Sequence, residues 1–267
     1  MTNEINRRTI ETRRGPMSWF ETGAGWPLVL LHGFPLTAEM WRGQLERAPA
    51  DWRFIAPELS SALPADGVRT IDDYASDVAS LLDALMIDDA VIGGLSMGGY
   101  VTFALFRQAP SLFSGMILAD TRPQADTEAA RIARMRMREL LTHDGVKAVA
   151  DDMIPKLLSD RTMREQPDVA GRVRAIVEMN PPRAVDAALD AMMRRPDSTP
   201  DLPHISCATL VIVGEEDAVT PVAEADAMHR AIERSALVTL PRAGHLSNLE
   251  QPEAFSRALA DFLLAHL

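Results

Sequence analysis

Short apolar runs alternate with amphipathic stretches over most of the 267 residues of this chain. Apolar runs bounded by turn-forming residues are typical of strands buried in a sheet. We interpret as strands Arg8–Arg13, Met17–Glu21, Leu28–Leu31, Phe54–Ala56, Ala90–Ile92, Met116–Ala119, Thr209–Val213 and Leu237–Leu240. Apolar residues at helical spacing predict helices over Ala38–Ala48, Thr70–Leu85, Met97–Gln108, Pro221–Ile232 and Pro252–Leu264. This alternation predicts a mostly parallel sheet with helices on both faces.

The alternation stops after Met116–Ala119, and Arg122–Arg195 predicts three or four helices with no strand between them. Composition changes at the same place. Residues 122–200 hold 14 basic and 13 acidic residues, seven of the 14 methionines and no aromatic residue. We therefore expect an all-helical cap at residues 122–200, inserted into an α/β core formed by residues 1–121 and 201–267.

Charge and cysteine content limit the possible partners. The formal net charge of −11 argues against nucleic acid or an anionic membrane, because both favour clustered Lys and Arg. The N-terminal residues do not resemble a signal peptide, and no stretch approaches the roughly 20 apolar residues of a membrane-spanning helix. The single cysteine, Cys207, cannot form an internal disulfide or a thiolate metal site. The sequence thus predicts a cytoplasmic protein without a metal, of unknown oligomeric state.

Gly94-Leu-Ser-Met-Gly98 lies between the strand Ala90–Ile92 and the helix that begins at Met97. In that context G-x-S-x-G is typical of a nucleophile elbow, a strained turn that exposes a serine hydroxyl above the sheet. The glycines are needed because a Cβ at either position would press against the neighbouring strand and helix. Ser96 is therefore a candidate nucleophile, and the alternative is a glycine-rich turn into a helix.

His245 is the candidate base, because a serine hydroxyl is a poor nucleophile until a nearby base takes its proton. It lies in Ala243-Gly-His-Leu246, after the strand Leu237–Leu240 and before the last helix. No other histidine lies downstream of Ser96 on a strand-end loop beside a glycine. The others lie near helices, in a turn or before a strand: His32, His143, His204, His229 and His266.

Asp217 is the candidate acid. It ends Gly214-Glu-Glu-Asp217, directly after the strand Thr209–Val213, and its carboxylate would fix the imidazole tautomer and stabilise the imidazolium. A carboxylate at a strand end often only caps a helix, however. The rivals for the role of acid are Glu215, Glu216 and Asp120.

Two backbone N–H groups are candidates for an oxyanion hole, which needs preorganised donors. One belongs to Met97, the residue after Ser96. The other is expected in the turn His32-Gly-Phe-Pro35, where Phe34 is the candidate because Pro35 has no N–H. His32 is then a structural residue of that turn.

The four motifs His32–Pro35, Gly94–Gly98, Gly214–Asp217 and Ala243–His245 together resemble the α/β-hydrolase superfamily, which also uses the chain order Ser, Asp, His. More narrowly, the chain resembles the bacterial carboxylesterase, enol-lactonase and cofactor-free perhydrolase (haloperoxidase) group. The resemblance covers nearly all of the chain outside the cap. It implies an α/β-hydrolase fold and a serine esterase that cleaves small, mostly apolar carboxylic esters through an acyl-enzyme on Ser96, without a cofactor.

Three alternatives remain open. A lactonase or enol-lactonase would use the same three residues, and a perhydrolase would use peroxide in place of water. A hydrolase-fold ligand-binding protein would carry them as vestiges. Relatives with dehalogenase or epoxide hydrolase activity have Asp at the elbow, so Ser96 implies acyl transfer instead.

One loop departs from the family pattern. After the strand Phe54–Ala56 the family usually shows Asp-Leu-Arg/Pro-Gly-x-Gly-x-Ser, whereas this chain has Glu58-Leu-Ser-Ser-Ala-Leu-Pro64. The loop borders the pocket in relatives, so the resemblance does not extend to a particular substrate.

The cap composition predicts a pliable lid and broad specificity for short and medium acyl chains. Arg131, Arg134 and Arg138 share one helical face, which is either solvated or an anchor for an acidic substrate. The methionines either line an adaptable apolar pocket or pack the cap onto the core. They are Met135, Met137, Met153, Met163, Met179, Met192 and Met193.

Overall fold

A computed structural model describes residues 4–61 and 68–265, and its central feature is one eight-stranded sheet. The strands are β1 (Asn6–Thr12), β2 (Gly15–Gly23), β3 (Trp26–Leu31), β4 (Trp52–Pro57), β5 (Ala90–Leu95), β6 (Phe113–Ala119), β7 (Ala208–Gly214) and β8 (Ser235–Leu240). Their spatial order is β1-β2-β4-β3-β5-β6-β7-β8. Strand β2 pairs antiparallel with β1 and β4, and the later pairs are parallel. The prediction of a mostly parallel sheet is confirmed.

Helices cover both faces of this sheet. They are α1 (Arg42–Leu45), α2 (Ile71–Ala84), α3 (Met97–Gln108), α4 (Glu128–Leu157), α5 (Asp160–Glu165), α6 (Pro167–Glu178), α7 (Pro182–Met193), α8 (Val222–Ala231), α9 (Ser247–Glu250) and α10 (Pro252–Ala265). Short 3₁₀ turns span Ala38–Trp41, Pro110–Leu112 and Thr199–His204. Within the described ranges, no helix is both long enough and apolar enough to cross a bilayer.

The two faces of the sheet bury separate hydrophobic clusters, which explains why its central strands are apolar throughout. Along β3, Val29 and Leu31 join the cluster beneath α2, α3 and α8. Leu28 and Leu30 point the other way and join the cluster beneath α1, α9 and α10. Successive side chains of a strand alternate between faces, so a strand covered on both sides has no polar position.

The helix predicted over Ala38–Ala48 is much shorter in the structure. A 3₁₀ turn over Ala38–Trp41, capped by the Thr37 hydroxyl, leads into the four-residue helix α1. Gly43 lies inside this stretch and Pro49 follows it, and both residues disfavour a continuous helix. Burial of apolar side chains such as Trp41 produces the apparent helical pattern.

Helices α4 to α7 form what we call the helical insertion, which connects the neighbouring parallel strands β6 and β7. Helix α4 is broken at Gly145, where the backbone adopts φ 79° and ψ −174°. Ile154 and Leu157 of α4 join one core cluster, while Val185 and Leu189 of α7 join the other. The insertion is therefore packed onto the same apolar clusters as the sheet.

Candidate active site

Ser96 lies at the sharp turn between β5 and α3, with φ 55° and ψ −114°. A non-glycine residue persists in such a strained conformation only where its surroundings hold it there. The Ser96 N–H donates to the Ala119 carbonyl over 3.0 Å, and the Thr121 hydroxyl donates to the Ser96 carbonyl over 2.8 Å. Strand β6 and the residues after it therefore hold the turn in place.

The two elbow glycines permit contacts that no other residue would allow. A Cβ on Gly94 would lie 2.3 Å from the carbonyl carbon of Gly98. A Cβ on Gly98 would lie 2.1 Å from the carbonyl oxygen of Leu31, at the end of β3. The turn thus presses α3 directly against the backbone of two strands.

Ser96, His245 and Asp217 come together in one hydrogen-bonded chain. The Ser96 Oγ lies 2.9 Å from Nε2 of His245, and Nδ1 of the same ring lies 2.8 Å from Oδ2 of Asp217. The side chains of His245 and Asp217 are fully buried, whereas Ser96 is half-buried. The hydroxyl is thus the accessible end of a chain whose other members are shielded from water.

Thr220 and two backbone amides hold the Asp217 carboxylate. Its Oδ1 accepts from the N–H groups of Val219 and Thr220 over 2.8 and 2.9 Å, and its Oδ2 accepts from the Thr220 hydroxyl over 2.6 Å. Burial by itself would raise the pKa of Asp217. The facing His245 and the hydrogen bonds from Thr220 outweigh burial and lower that pKa below its ordinary value. The site therefore favours an ionised carboxylate beside the imidazole.

Thr220 was not among the residues predicted from sequence. Its only signal was a threonine three residues after Asp217, a spacing at which an aspartate side chain can accept from the following backbone.

None of the rival carboxylates bonds to His245. Asp120 is fully buried after β6, where it accepts from the Gly214 N–H over 2.8 Å and from the Ser247 hydroxyl. Burial raises the pKa of Asp120 well above its ordinary value, and the nearby charge of Asp217 raises it further. Glu215 and Glu216 are exposed. The structure therefore separates one ionised carboxylate from one that favours the neutral acid.

Phe34 and Met97 border a narrow cavity of about 20 Å³, room for one water molecule. Met97 is the first residue of α3, where an N–H group has no acceptor within the helix. In the described ranges the Phe34 N–H also makes no hydrogen bond. The rest of the lining is mostly apolar and includes Leu36, Leu59, Tyr74, Asn180, Ala184, Val185 and Ala188.

His32 connects the Phe34 turn to the loop that departs from the family pattern. Its Nδ1 lies 3.1 Å from the Gly33 carbonyl, and its Nε2 lies 3.0 Å from Oε1 of Glu58. Glu58 Oε2 also accepts from the Ala38 N–H over 3.1 Å. Burial by itself would raise the pKa of Glu58, but the facing His32 and the hydrogen bonds lower it to about 2. Glu58 therefore ties the turn to the end of β4.

Part of the departing loop, Ala62–Pro64, lies outside the described residues, as does His266. From sequence, Glu58 is only a departure from the family pattern, because nothing near it in the chain reveals its contact with His32.

The methionines of the helical insertion do not line this cavity. Met192 is buried in the core, and Met137 and Met153 are half-buried against it. The more exposed members are Met135, Met163 and Met179. The part of the insertion that borders the cavity consists mainly of small side chains of α7.

Two of the three arginines on the predicted face of α4 form ion pairs. Arg134 donates to Asp126 over 2.6 Å, and Arg138 donates to Asp186 over 2.6 Å. Arg131 is exposed. These contacts favour a structural role for Arg134 and Arg138 over recognition of an acidic substrate.

A mostly parallel sheet of this order, with a strained serine turn after β5 and a helical insertion after β6, defines the α/β-hydrolase class of fold. Residues 28–258 match the alpha/beta hydrolase family, and the chain belongs to that family. The predicted superfamily is thereby confirmed.

Three similar proteins illustrate the relationship. The chain is 30% identical over 236 residues to 3-oxoadipate enol-lactonase 2 of Acinetobacter baylyi, covering 87% of this chain and 86% of the relative. It is 29% identical over 248 residues to a pimeloyl-[acyl-carrier protein] methyl ester esterase of Neisseria meningitidis, covering 88% and 92%. The solved structure of a thermophilic esterase from Thermogutta terrifontis matches with a TM-score of 0.91 and 39% identity, covering 98% and 99%.

Gly98→Ala should destabilise the protein strongly, because its Cβ would overlap the Leu31 carbonyl. We expect a loss of about 3 kcal/mol or more in the free energy of unfolding, measured by urea denaturation. Gly171→Ala is the matched control. A Cβ there meets nothing within 4 Å, so alanine in α6 should stabilise by about 0.5–1 kcal/mol. Equal stabilities of the two variants would contradict the close approach at the elbow.

Glu58 should make stability depend on acid pH. Its pKa is about 2 in the folded protein against an ordinary value of 4.5, so its contribution is complete above about pH 4.5 and is lost as the pH falls towards 2. Glu58→Gln should lower the free energy of unfolding by about 1–3 kcal/mol at pH 5, and its difference from wild type should narrow as the pH falls below 4.5. Denaturant unfolding across this range measures the difference. Glu233→Gln, at an exposed glutamate, should show no such narrowing.

Proposed function

We propose that this protein is a serine hydrolase that cleaves small, mostly apolar carboxylic esters through an acyl-enzyme on Ser96. The observation that carries the proposal is the hydrogen-bonded chain from Ser96 through His245 to Asp217. The proposed substrate of the protein is a small-molecule ester or lactone, and acyl transfer through Ser96 needs no cofactor.

The first half-reaction forms the acyl-enzyme. His245 Nε2 takes the proton of Ser96 as Oγ attacks the carbonyl carbon of the ester. The resulting imidazolium donates from Nδ1 to Asp217, which stays ionised because its pKa is lowered. The N–H groups of Met97 and Phe34 donate to the oxyanion. The imidazolium then protonates the departing alkoxide, and an alcohol leaves.

The second half-reaction releases the acid. Water attacks the acyl carbon while His245 takes one of its protons, and a second oxyanion forms in the same hole. When this intermediate collapses, the imidazolium returns the proton to Ser96 Oγ. The carboxylic acid leaves, and the starting state is restored. A perhydrolase would differ here alone, with hydrogen peroxide in place of water.

Substrate size is expected to depend on how far the helical insertion moves away from the cavity beside Phe34 and Met97, which holds only about one water molecule as it stands. Its apolar lining favours an apolar acyl group, and Ala184, Val185 and Ala188 of α7 supply one wall. We therefore expect residues 122–200 to set chain-length preference, as a cap on the core. Each methylene that enters or leaves an apolar pocket is worth roughly 0.8 kcal/mol, a several-fold change in rate per carbon.

Lactone hydrolysis is the second candidate. It is favoured by the 30% identity to an enol-lactonase over 87% of this chain. The same attack by Ser96 would open a lactone ring, but the released alcohol would remain attached to the acyl group. Turnover across a panel of linear esters and lactones, with water or peroxide as acceptor, distinguishes the alternatives.

Ser96→Ala should abolish turnover of a chromogenic short-chain ester, because the atom that forms the acyl-enzyme is lost. Residual activity should be below roughly one part in a thousand, while the melting temperature stays near that of wild type. A serine-directed phosphonate should label Ser96 in the wild type. The control is Ser111→Ala, at an exposed serine, which should turn over and label normally. Wild-type protein that neither labels nor cleaves any ester or lactone would instead support a ligand-binding role.

Asp217→Asn should lower kcat by on the order of 10⁴, because the amide cannot hold the productive imidazole tautomer. Asp120→Asn should cost far less. The raised pKa of Asp120 favours its neutral acid, and asparagine matches that form in charge and shape. Steady-state kinetics on the two purified variants tests this. A larger loss of kcat for Asp120→Asn than for Asp217→Asn would identify Asp120, which follows β6, as the acid.

A further inference from the structure

The loop that carries His245 is attached to the helical insertion. The backbone N–H of His245 donates to the carbonyl of Leu157 over 3.0 Å, and Leu157 is the last residue of α4. Both residues are buried. The backbone of the candidate base thus has its hydrogen-bond partner outside the sheet, in the segment between β6 and β7.

A second attachment runs through Glu250, at the end of α9. Its Oε1 accepts from the Gly244 N–H and its Oε2 accepts from the Ser159 N–H, each over 2.9 Å. Glu250 is 1% exposed. Ser159 in turn caps α5, where its hydroxyl accepts from the Thr162 N–H. The buried carboxylate of Glu250 therefore bridges Gly244, the residue before His245, and Ser159, which lies 91 positions before Glu250 in the chain.

Gly244 allows this close approach. A Cβ on Gly244 would lie 2.6 Å from the Ser159 nitrogen and 3.1 Å from Oε1 of Glu250. The two backbones are therefore too close for any other residue at position 244, and Glu250 lies against both of them.

We propose that Glu250 is a positioning residue that holds the His245 loop against residues 157–159, so that the helical insertion sets the position of the imidazole relative to Ser96. The inference rests on the proposed function, in which His245 is the base. It gives the insertion a second role: besides bordering the cavity, it supports the base. The carboxylate of Glu250 hydrogen-bonds to Gly244 and Ser159, not to Ser96 or Asp217.

Glu250→Gln is the direct test. A carboxamide has the shape of the carboxylate but only one oxygen, so one of the two N–H donors must face an NH₂ group. We expect kcat to fall about 10- to 100-fold, because small displacements of a catalytic group cost that much, while KM changes less than about twofold. Turnover is counted per active site titrated with a phosphonate. Glu253→Gln, at an exposed neighbouring glutamate, is the matched control and should keep its kcat.

A second pair of variants tests the attachment from the insertion side, with the sequence of the histidine loop unchanged. Ser159→Pro removes the N–H that Glu250 accepts from and puts the ring carbon Cδ against that carboxylate, although the backbone φ of −62° is one that proline adopts. The melting temperature of this variant is therefore measured beside its kcat. Ser159→Ala removes the same hydroxyl but keeps the N–H. We expect kcat to be about 10-fold lower for the proline than for the alanine variant. Equal kcat values for this pair would overturn the proposal even if Glu250→Gln were impaired.

Proton NMR separates positioning from general stability. The resonance of the proton between His245 Nδ1 and Asp217 should shift or broaden in Glu250→Gln and Ser159→Pro, and remain unchanged in Glu253→Gln. If Glu250→Gln and Ser159→Pro keep both the resonance and the kcat of an active wild-type enzyme, the positioning role of Glu250 is refuted. The proposed function would then still stand. Failure of the proposed function would appear differently, as full turnover by Ser96→Ala.

Discussion

The rest of the site depends on the contact between the start of α3 and the end of β3. Gly94 and Gly98 bring backbones together at distances that exclude a Cβ, and this contact keeps Ser96 in a strained turn. Because β5, β7 and β8 are parallel, their carboxyl ends meet at one edge of the sheet. Loops that are distant in sequence can therefore bring a carboxylate and an imidazole to the serine.

Two buried carboxylates at this edge behave in opposite ways because their partners differ. Asp217 faces an imidazole and three donors, so its pKa is lowered despite burial. Asp120 is fully buried and lies near the charge of Asp217, and both effects raise its pKa. Together they link the loops after β6, β7 and β8, and their pKa values are shifted in opposite directions. The proposed mechanism uses only Asp217.

Much of the fold and the proposed triad could be predicted from sequence because each motif lies at the end of an apolar run. The helix predicted over Ala38–Ala48 was too long, because the buried apolar residues of an irregular turn happen to recur at helical spacing. The sequence pattern also did not reveal Thr220, Glu58 or Glu250. The contacts of Glu58 with His32 and of Glu250 with Ser159 join distant parts of the chain, and no local pattern encodes them. The small side chains of α7 at the cavity were missed for the same reason.

The attachment at Leu157 and Ser159 also bears on how such a protein diversifies. An insertion that only covered a pocket could be exchanged between relatives as a unit, leaving the core unchanged. Here Leu157, at the end of α4, accepts from the His245 N–H, and Glu250 accepts from the N–H groups of both Ser159 and Gly244. A new insertion must therefore preserve the backbone at residues 157–159 or be accompanied by compensating changes in the histidine loop. Residues 157–159 and the histidine loop are expected to evolve together, while the parts of the helical insertion that do not contact this loop are free to vary.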